Sequence, residues 1–326
     1  MRFLLPFLFL IAACSTLKPT AKNLSYSEDL REMDYPYNVQ YFDIQTHKMA
    51  FMDVAAKAKY IGVVVLFHGK NFNGSYWHKT ADDLSKAGFR VIIPDQLGFG
   101  KSDKPIDYQY SFHALASNTA QLLDSLKLDK VSIVGHSMGG MLAARFALMY
   151  PQRVSKLSLV NPIGLEDWKR VVPYTPLDKR IEGELKQTRE SIIDYQRKSY
   201  YDGNWKPEYE VAAAHLIGWA QGPDKQKIAT VSALTYEMVF TQPVLYEFNL
   251  LSMPTLLIIG ERDRTAIGKN LVSKEVGKDL GRYDLLGQKT CNKISKCEIV
   301  HLKSIGHLPQ IEAYSEYIRA LKAFLI

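Results

Sequence analysis

The stretch Val131-Ser132-Ile133-Val134-Gly135-His136-Ser137-Met138-Gly139-Gly140 constrains this chain more than any other. A short apolar run breaks at a Gly-x-Ser-x-Gly pattern and resumes with helical spacing, which predicts a strand, a strained turn and a helix with Ser137 at the apex. A serine held there stands at the top of a sheet, beside a helix N-terminus whose free N–H groups favour an anion. That is a nucleophile's position.

The rest of the chain supplies a sheet for this elbow. Residues 61–67 form a continuous apolar, β-branched run, as expected of a strand covered on both faces in a parallel sheet. Strands are also expected at 89–94, 154–160, 254–260 and 298–302, and residues 39–44 and 49–54 read as an antiparallel pair. Helices are expected at 77–87, at 111–126 with Ser111 as N-cap, and from the elbow to Met149. The alternation is that of a doubly wound α/β fold, a mostly parallel twisted sheet with helices on both faces.

After Asn161-Pro162-Ile163-Gly164 the alternation stops for some eighty residues of mostly helical, aromatic-rich sequence. The economical reading is a core of residues 36–164 and 248–326, with a helical lid, 165–247, inserted after the sixth strand. Trp168, Trp205 and Trp219, with Tyr174, Tyr195, Tyr200, Tyr201, Tyr209 and Tyr236, could line an apolar pocket or pack the lid's own core.

Arg2 is followed by eleven uncharged residues, 3–13, a signal-peptide core too short to span a bilayer as a helix. The run ends Ile11-Ala12-Ala13-Cys14-Ser15, which resembles the lipobox of bacterial lipoproteins. That resemblance implies a signal peptide, 1–13, and a lipidated Cys14, palmitate among its acyl chains, as the mature N-terminus. The protein would then be exported and anchored to a cell-envelope membrane, with Ser15 in the pattern of outer-membrane sorting and a periplasmic orientation. Residues 14–35 are polar and lack hydrophobic period, as a tether would. Export also bears on Cys291 and Cys297, six positions apart in a polar stretch: in an oxidising compartment they are expected to pair. Two cysteines without clustered histidines do not make a zinc site.

The net charge of +7 is spread without long runs, which gives nucleic acid no patch to bind. Within 165–247, eleven Lys and Arg stand against thirteen Asp and Glu, so the basic excess of the whole chain does not describe the lid.

Taken together, the His68-Gly69 loop, the serine elbow, the lid, Gly260-Glu261-Arg262-Asp263 and Gly306-His307 come in the order that identifies the chain as similar to the lidded α/β-hydrolases. Carboxylesterases, proline iminopeptidase-like enzymes and carbon–carbon bond hydrolases belong to that group. The resemblance runs from about Val39 to the C-terminus and implies a Ser137 nucleophile, a His307 base and an Asp263 that orients it, Glu261 being the nearest rival acid. His307 sits on a loop at a strand end, whereas His301 falls within the last strand and His47, His78, His113 and His215 lack that context; a histidine's unperturbed pKa near 6.5 suits proton transfer around neutrality. The resemblance also implies oxyanion donors from the backbone N–H of Met138 and of Lys70, with Asn71 as the alternative to Lys70, and structural roles for His68, His136 and Asp95. The Lys70 side chain need be no more than a surface charge. Relatives with an aspartate nucleophile are disfavoured by Ser137. The 44 positions from Asp263 to His307, with the cysteine pair inside them, exceed the family's usual spacing, for which an extra loop near the site mouth would account.

No cofactor or metal is called for. The expected activity is hydrolysis of a carboxylic ester of a small, largely apolar substrate through an acyl-enzyme. The alternatives are a peptidase using lid carboxylates among Glu182, Glu184, Glu208 and Glu210, a carbon–carbon hydrolase with the same triad, and a hydrolase-fold lipoprotein that only binds a partner. Replacing Cys14 by Ser is expected to abolish incorporation of a clickable palmitate analogue and move the protein from the membrane pellet to the soluble fraction. Unchanged labelling would refute lipidation.

Overall fold

Every second residue of the central strands faces the same side of the sheet, and both sides are apolar, so helices must cover both. The computed structural model describes residues 24–326; the signal segment and Cys14 lie outside the described residues. The sheet has eight strands: β1 (Val39–Ile44), β2 (His47–Val54), β3 (Gly62–Phe67), β4 (Phe89–Pro94), β5 (Val131–His136), β6 (Val154–Val160), β7 (Thr255–Gly260) and β8 (Cys297–Leu302). Their order is β1-β2-β4-β3-β5-β6-β7-β8. β2 runs antiparallel to both its neighbours, and the remaining pairs are parallel.

Helices α1 (His78–Lys86), α2 (Phe112–Ser125) and α3 (Met138–Met149) precede the insertion. The Ser111 side chain caps α2 by accepting from the Ala114 N–H. The lid comprises α4 (Leu177–Leu185), α5 (Arg189–Tyr200), α6 (Pro207–Ala220) and α7 (Lys225–Thr241), inserted between β6 and β7. α8 (Lys274–Asp279), α9 (Tyr283–Cys291), α10 (Pro309–Glu312) and α11 (Tyr314–Leu325) complete the chain. Val63, Val65 and Phe67 join the core under α2, α3 and α9, whereas Val64 and Leu66 join the one under α1 and α11. The alternation along a single strand thus divides the interior into two layers.

Two expectations are corrected. Residues 24–35 are not a free tether. Leu30 is buried, the Tyr26 N–H donates to the Gly218 carbonyl at 3.1 Å, the Trp219 indole donates to the Ser27 carbonyl at 3.0 Å, and the Tyr35 hydroxyl donates to Asp95 at 2.7 Å. This segment straps the lid to the core through backbone groups and two aromatic rings, a role its polar composition does not reveal.

The second correction concerns the cysteines. They do form a disulfide, with Cα atoms 5.4 Å apart, but Cys291 ends α9 and Cys297 opens β8. The bridge therefore lies at the N-terminal end of β8, away from the strand ends where the elbow sits. The long spacing from Asp263 to His307 is taken up largely by α8, α9 and β8 rather than by one loop.

His215 of α6 is buried beneath the strap, edge-on to Trp219. Burial, reinforced by the charges of His68 and Lys104, pushes its pKa down to about 3. An unfolded chain would bind a proton at about pH 6.5, so acidification between those values favours unfolding and stability falls with pH. In His215→Gln, the acid-side slope of unfolding free energy against pH is expected to be shallower by about 1.4 kcal/mol per pH unit. Urea titrations between pH 4.5 and 6.5 measure it, and equal slopes in both proteins would contradict the assignment.

Candidate active site

Ser137 sits between β5 and α3 at φ 57° and ψ −121°, a conformation that L-residues avoid. Its neighbours leave no alternative, because the helix packs so close to the strand that side chains would not fit. A Cβ on Gly135 would lie 2.2 Å from the Gly139 carbonyl oxygen, and one on Gly139 would lie 2.3 Å from that of Phe67. The Ser137 N–H donates to the Val160 carbonyl, and its own carbonyl accepts from Gly140 and Ile163. The turn is thereby tied to β6, to α3 and to the segment after β6.

Parallel register brings the ends of β3, β5, β6, β7 and β8 to one edge of the sheet, and the segments that follow them meet there. His307 Nε2 is 3.0 Å from Ser137 Oγ, and His307 Nδ1 is 2.6 Å from Asp263 Oδ2. An Nδ1-protonated imidazole satisfies both contacts, donating to the carboxylate and accepting from the hydroxyl. Asp263 is buried with His307, and its charge is matched by further donors: Asn161 Nδ2 at 2.9 Å and the Thr265 N–H at 2.7 Å. Glu261, the rival acid, instead pairs with His301.

The imidazole of His307 is held from two more sides. The Tyr200 ring stacks on it with centroids 4.7 Å apart, and His136 Nε2 donates to the His307 carbonyl at 2.8 Å. On its other side His136 accepts from the Tyr76 hydroxyl at 3.0 Å. Burial, with the neighbouring His307 acting the same way, holds the His136 pKa well below the usual value, so it stays neutral. His68 is buried too and accepts from the Gln96 N–H. Asp95 takes N–H groups of Gly74 and Lys101, which makes it a brace between loops.

Met138 opens α3, so its N–H belongs to the first turn and has no intrahelical acceptor. The Gly69–Lys70 turn lies beside the serine: a Cβ on Gly69 would be 3.0 Å from that of Ser137. The Asn71 side chain donates to the Tyr200 hydroxyl. Lys70 departs from the expected surface charge. Its Nζ donates to Ser232 Oγ at 2.9 Å, and Ser232 donates onward to Glu184 at 3.0 Å. Burial lowers the lysine pKa, Glu184 raises it and Arg180 lowers it, which places all three groups within one another's field.

A cavity of about 650 Å³ opens from Ser137 beneath the lid. Trp219, Tyr195, Tyr200 and Tyr236 line it, while Trp168 packs into the main core and Trp205 and Tyr201 pack with Tyr209. Of the four lid carboxylates considered, Glu184 alone lines this cavity; Glu182 pairs with Lys179 and Glu210 with Arg189. Residues 264–270, directly after Asp263, form part of the rim. Asn161, Thr265 and Tyr76 went unnoticed as site residues in the sequence, and Tyr200 was named there only as a pocket-lining tyrosine. Asn161 had a signal, since an Asn-Pro pair directly follows the apolar run of β6, and the structure puts it at the same sheet edge with a positive φ.

Comparison with known proteins places this geometry among relatives. Residues 62–273 match the alpha/beta hydrolase fold family. The crystal structure of a "probable hydrolytic enzyme" from Pseudomonas aeruginosa is 45% identical, covering 94% of this chain and 100% of that one with a TM-score of 0.92. Lipase 3 of Moraxella sp. (strain TA144) is 27% identical over 80% of this chain and 76% of its own length. A 2-hydroxy-6-oxo-2,4-heptadienoate hydrolase of Pseudomonas putida is 30% identical over 47% of this chain and 59% of its own. With an eight-stranded sheet, an elbow serine and a family match that spans β3 to the rim of the cavity, the chain belongs to the α/β-hydrolase fold family, and it is a hydrolase.

Proposed function

We propose that this protein is a serine hydrolase that cleaves a carboxylic ester through an acyl-enzyme. The observation that carries the reading is the continuous hydrogen-bond chain from Ser137 Oγ through His307 to the buried Asp263. A serine hydroxyl is inert at neutral pH until a base takes its proton, and His307 Nε2 is within reach to do so. As Ser137 Oγ attacks the carbonyl carbon, the proton passes to His307 and the oxyanion collects the N–H groups of Met138 and Lys70. Asp263 stabilises the imidazolium. The tetrahedral intermediate collapses, His307 protonates the departing alcohol, and a water activated by the same histidine then releases the acid from Ser137.

Ester cleavage is favoured over aminopeptidase action because, among the described residues, Glu184 is the one carboxylate lining the cavity, rather than the cluster a free N-terminus would need. The relative from Pseudomonas putida supports a second reading, carbon–carbon bond hydrolysis with the same three side chains. The proposal extends to placement. A chain lipidated at Cys14 would hold the catalytic domain close to a membrane surface, and the Cys291–Cys297 disulfide suits an oxidising compartment outside the cytosol.

Ser137→Ala is expected to remove both turnover of p-nitrophenyl esters and covalent labelling by a fluorophosphonate. Asp263→Asn should lower kcat by about 10³- to 10⁴-fold through loss of the correct imidazole tautomer. Labelling that persists in Ser137→Ala would overturn the assignment, and faster turnover of a ring-fission dienone than of any ester would move it to the second reading.

A further inference from the structure

The lid as a whole carries slightly more acid than base, but its cavity does not. Lys70, Arg180, Lys225, Arg264 and Lys269 line it against the lone carboxylate of Glu184. Most of these charges are already engaged. Lys225 donates to the Gln187 carbonyl, Lys269 to the Arg264 and Leu280 carbonyls, and Arg264 to the Glu261 and Asp263 carbonyls while pairing with Asp284. Glu184 is matched by Lys70 through Ser232.

Arg180 stands apart. Its guanidinium carbon lies over the Tyr236 ring, 3.6 Å from the centroid, and it forms no ion pair with a carboxylate among the described residues. The ring engages the guanidinium's π face and one N–H is directed at the Tyr236 hydroxyl, which leaves the remaining N–H groups for an acceptor. A second, independent feature points into the same cavity. Gln196 is fully buried on its wall with neither amide atom bonded, and Thr265 Oγ1 is likewise buried and unpartnered there. Buried polar groups without partners are costly, so a wall that holds them just behind the cavity surface favours a ligand with polar oxygen atoms that these side chains turn to meet.

We propose that the substrate carries a carboxylate as well as the scissile ester, and that Arg180, with the spare donors of Lys70 and the Gln196 amide, forms the subsite that binds it. This assignment deepens the esterase reading and rests on it. It also narrows the expected apolar substrate to one with an apolar body and an anionic end. A planar carboxylate fits the fork of Arg180 through two parallel hydrogen bonds. A substrate ammonium, the feature a peptidase would recognise, would meet the excess of positive charge instead.

The test compares mono-p-nitrophenyl glutarate with p-nitrophenyl butyrate on the full chain. The wild type should prefer the anionic ester in kcat/KM by about tenfold or more, and Arg180→Met should collapse that ratio by about 10- to 100-fold, as expected for hydrogen bonds to a charged group. A merely structural lesion would lower both esters together and leave the ratio intact. Gln196→Glu, which sets a like charge in the wall, should reverse the preference without relying on the Arg180 variant. Calorimetric titration of Ser137→Ala protein with glutarate separates the two claims. Saturable, salt-sensitive binding that disappears with Arg180→Met supports the subsite. No binding, a wild-type preference for butyrate, or stronger competition by inorganic phosphate than by glutarate would overturn it. Glutarate binding without turnover of either ester would uphold the subsite and sink the esterase reading.

Discussion

Ser137 is kept in a conformation that costs on the order of 1–3 kcal/mol, and the surrounding sheet exists in the form that keeps it there. Three backbone hydrogen bonds tie its peptide groups to β6, to α3 and to the segment after β6. Gly135 and Gly139 let the helix approach so closely that the chain has no room to relax. Because the strain is fixed by strands rather than by a loop, the hydroxyl is presented at one place relative to every segment that leaves the same edge of the sheet.

That edge explains why residues from opposite ends of the chain converge. Asp263 and His307 each follow a strand whose register with its neighbour is set by parallel hydrogen bonding, so their positions relative to Ser137 follow from the sheet and not from the intervening helices. Burial then sharpens their arrangement. A carboxylate removed from water must be met by donors, and Asp263 is met by His307, Asn161 and the Thr265 N–H. Each donor fixes one direction of the carboxylate, and the carboxylate in turn fixes the imidazole.

The lid covers the cavity and supplies none of Ser137, Asp263 and His307. It is held to the core by the segment 24–35, whose backbone bonds to α6 and whose Tyr35 reaches Asp95, the same carboxylate that braces the loops near the site. Lid and loop positions are therefore connected through one anion. The cavity between them selects charges from a lid whose overall composition is nearly balanced, which is why counting residues along the sequence gave no hint of its sign.

The sequence by itself determined the fold class, the sixth-strand insertion point and the elbow, because apolar periodicity and glycine spacing record which surfaces must be buried and where the chain must bend. Through the order of its motifs, which resembles that of the lidded hydrolases, it also pointed to Ser137, Asp263 and His307, each lying beyond a strand. Only the tertiary structure decided that Lys70 points into the cavity, that Asn161 steadies Asp263, that Tyr200 lies on His307, and that Arg180 is left without an anion. The cysteine bridge likewise joins a helix end to a strand start at the far side of the sheet, where spacing alone had suggested the site mouth. The physical reason is the same in each case: periodicity reports burial along one element, whereas the partner of a buried polar group comes from a distant element, and its identity is settled only when the elements pack.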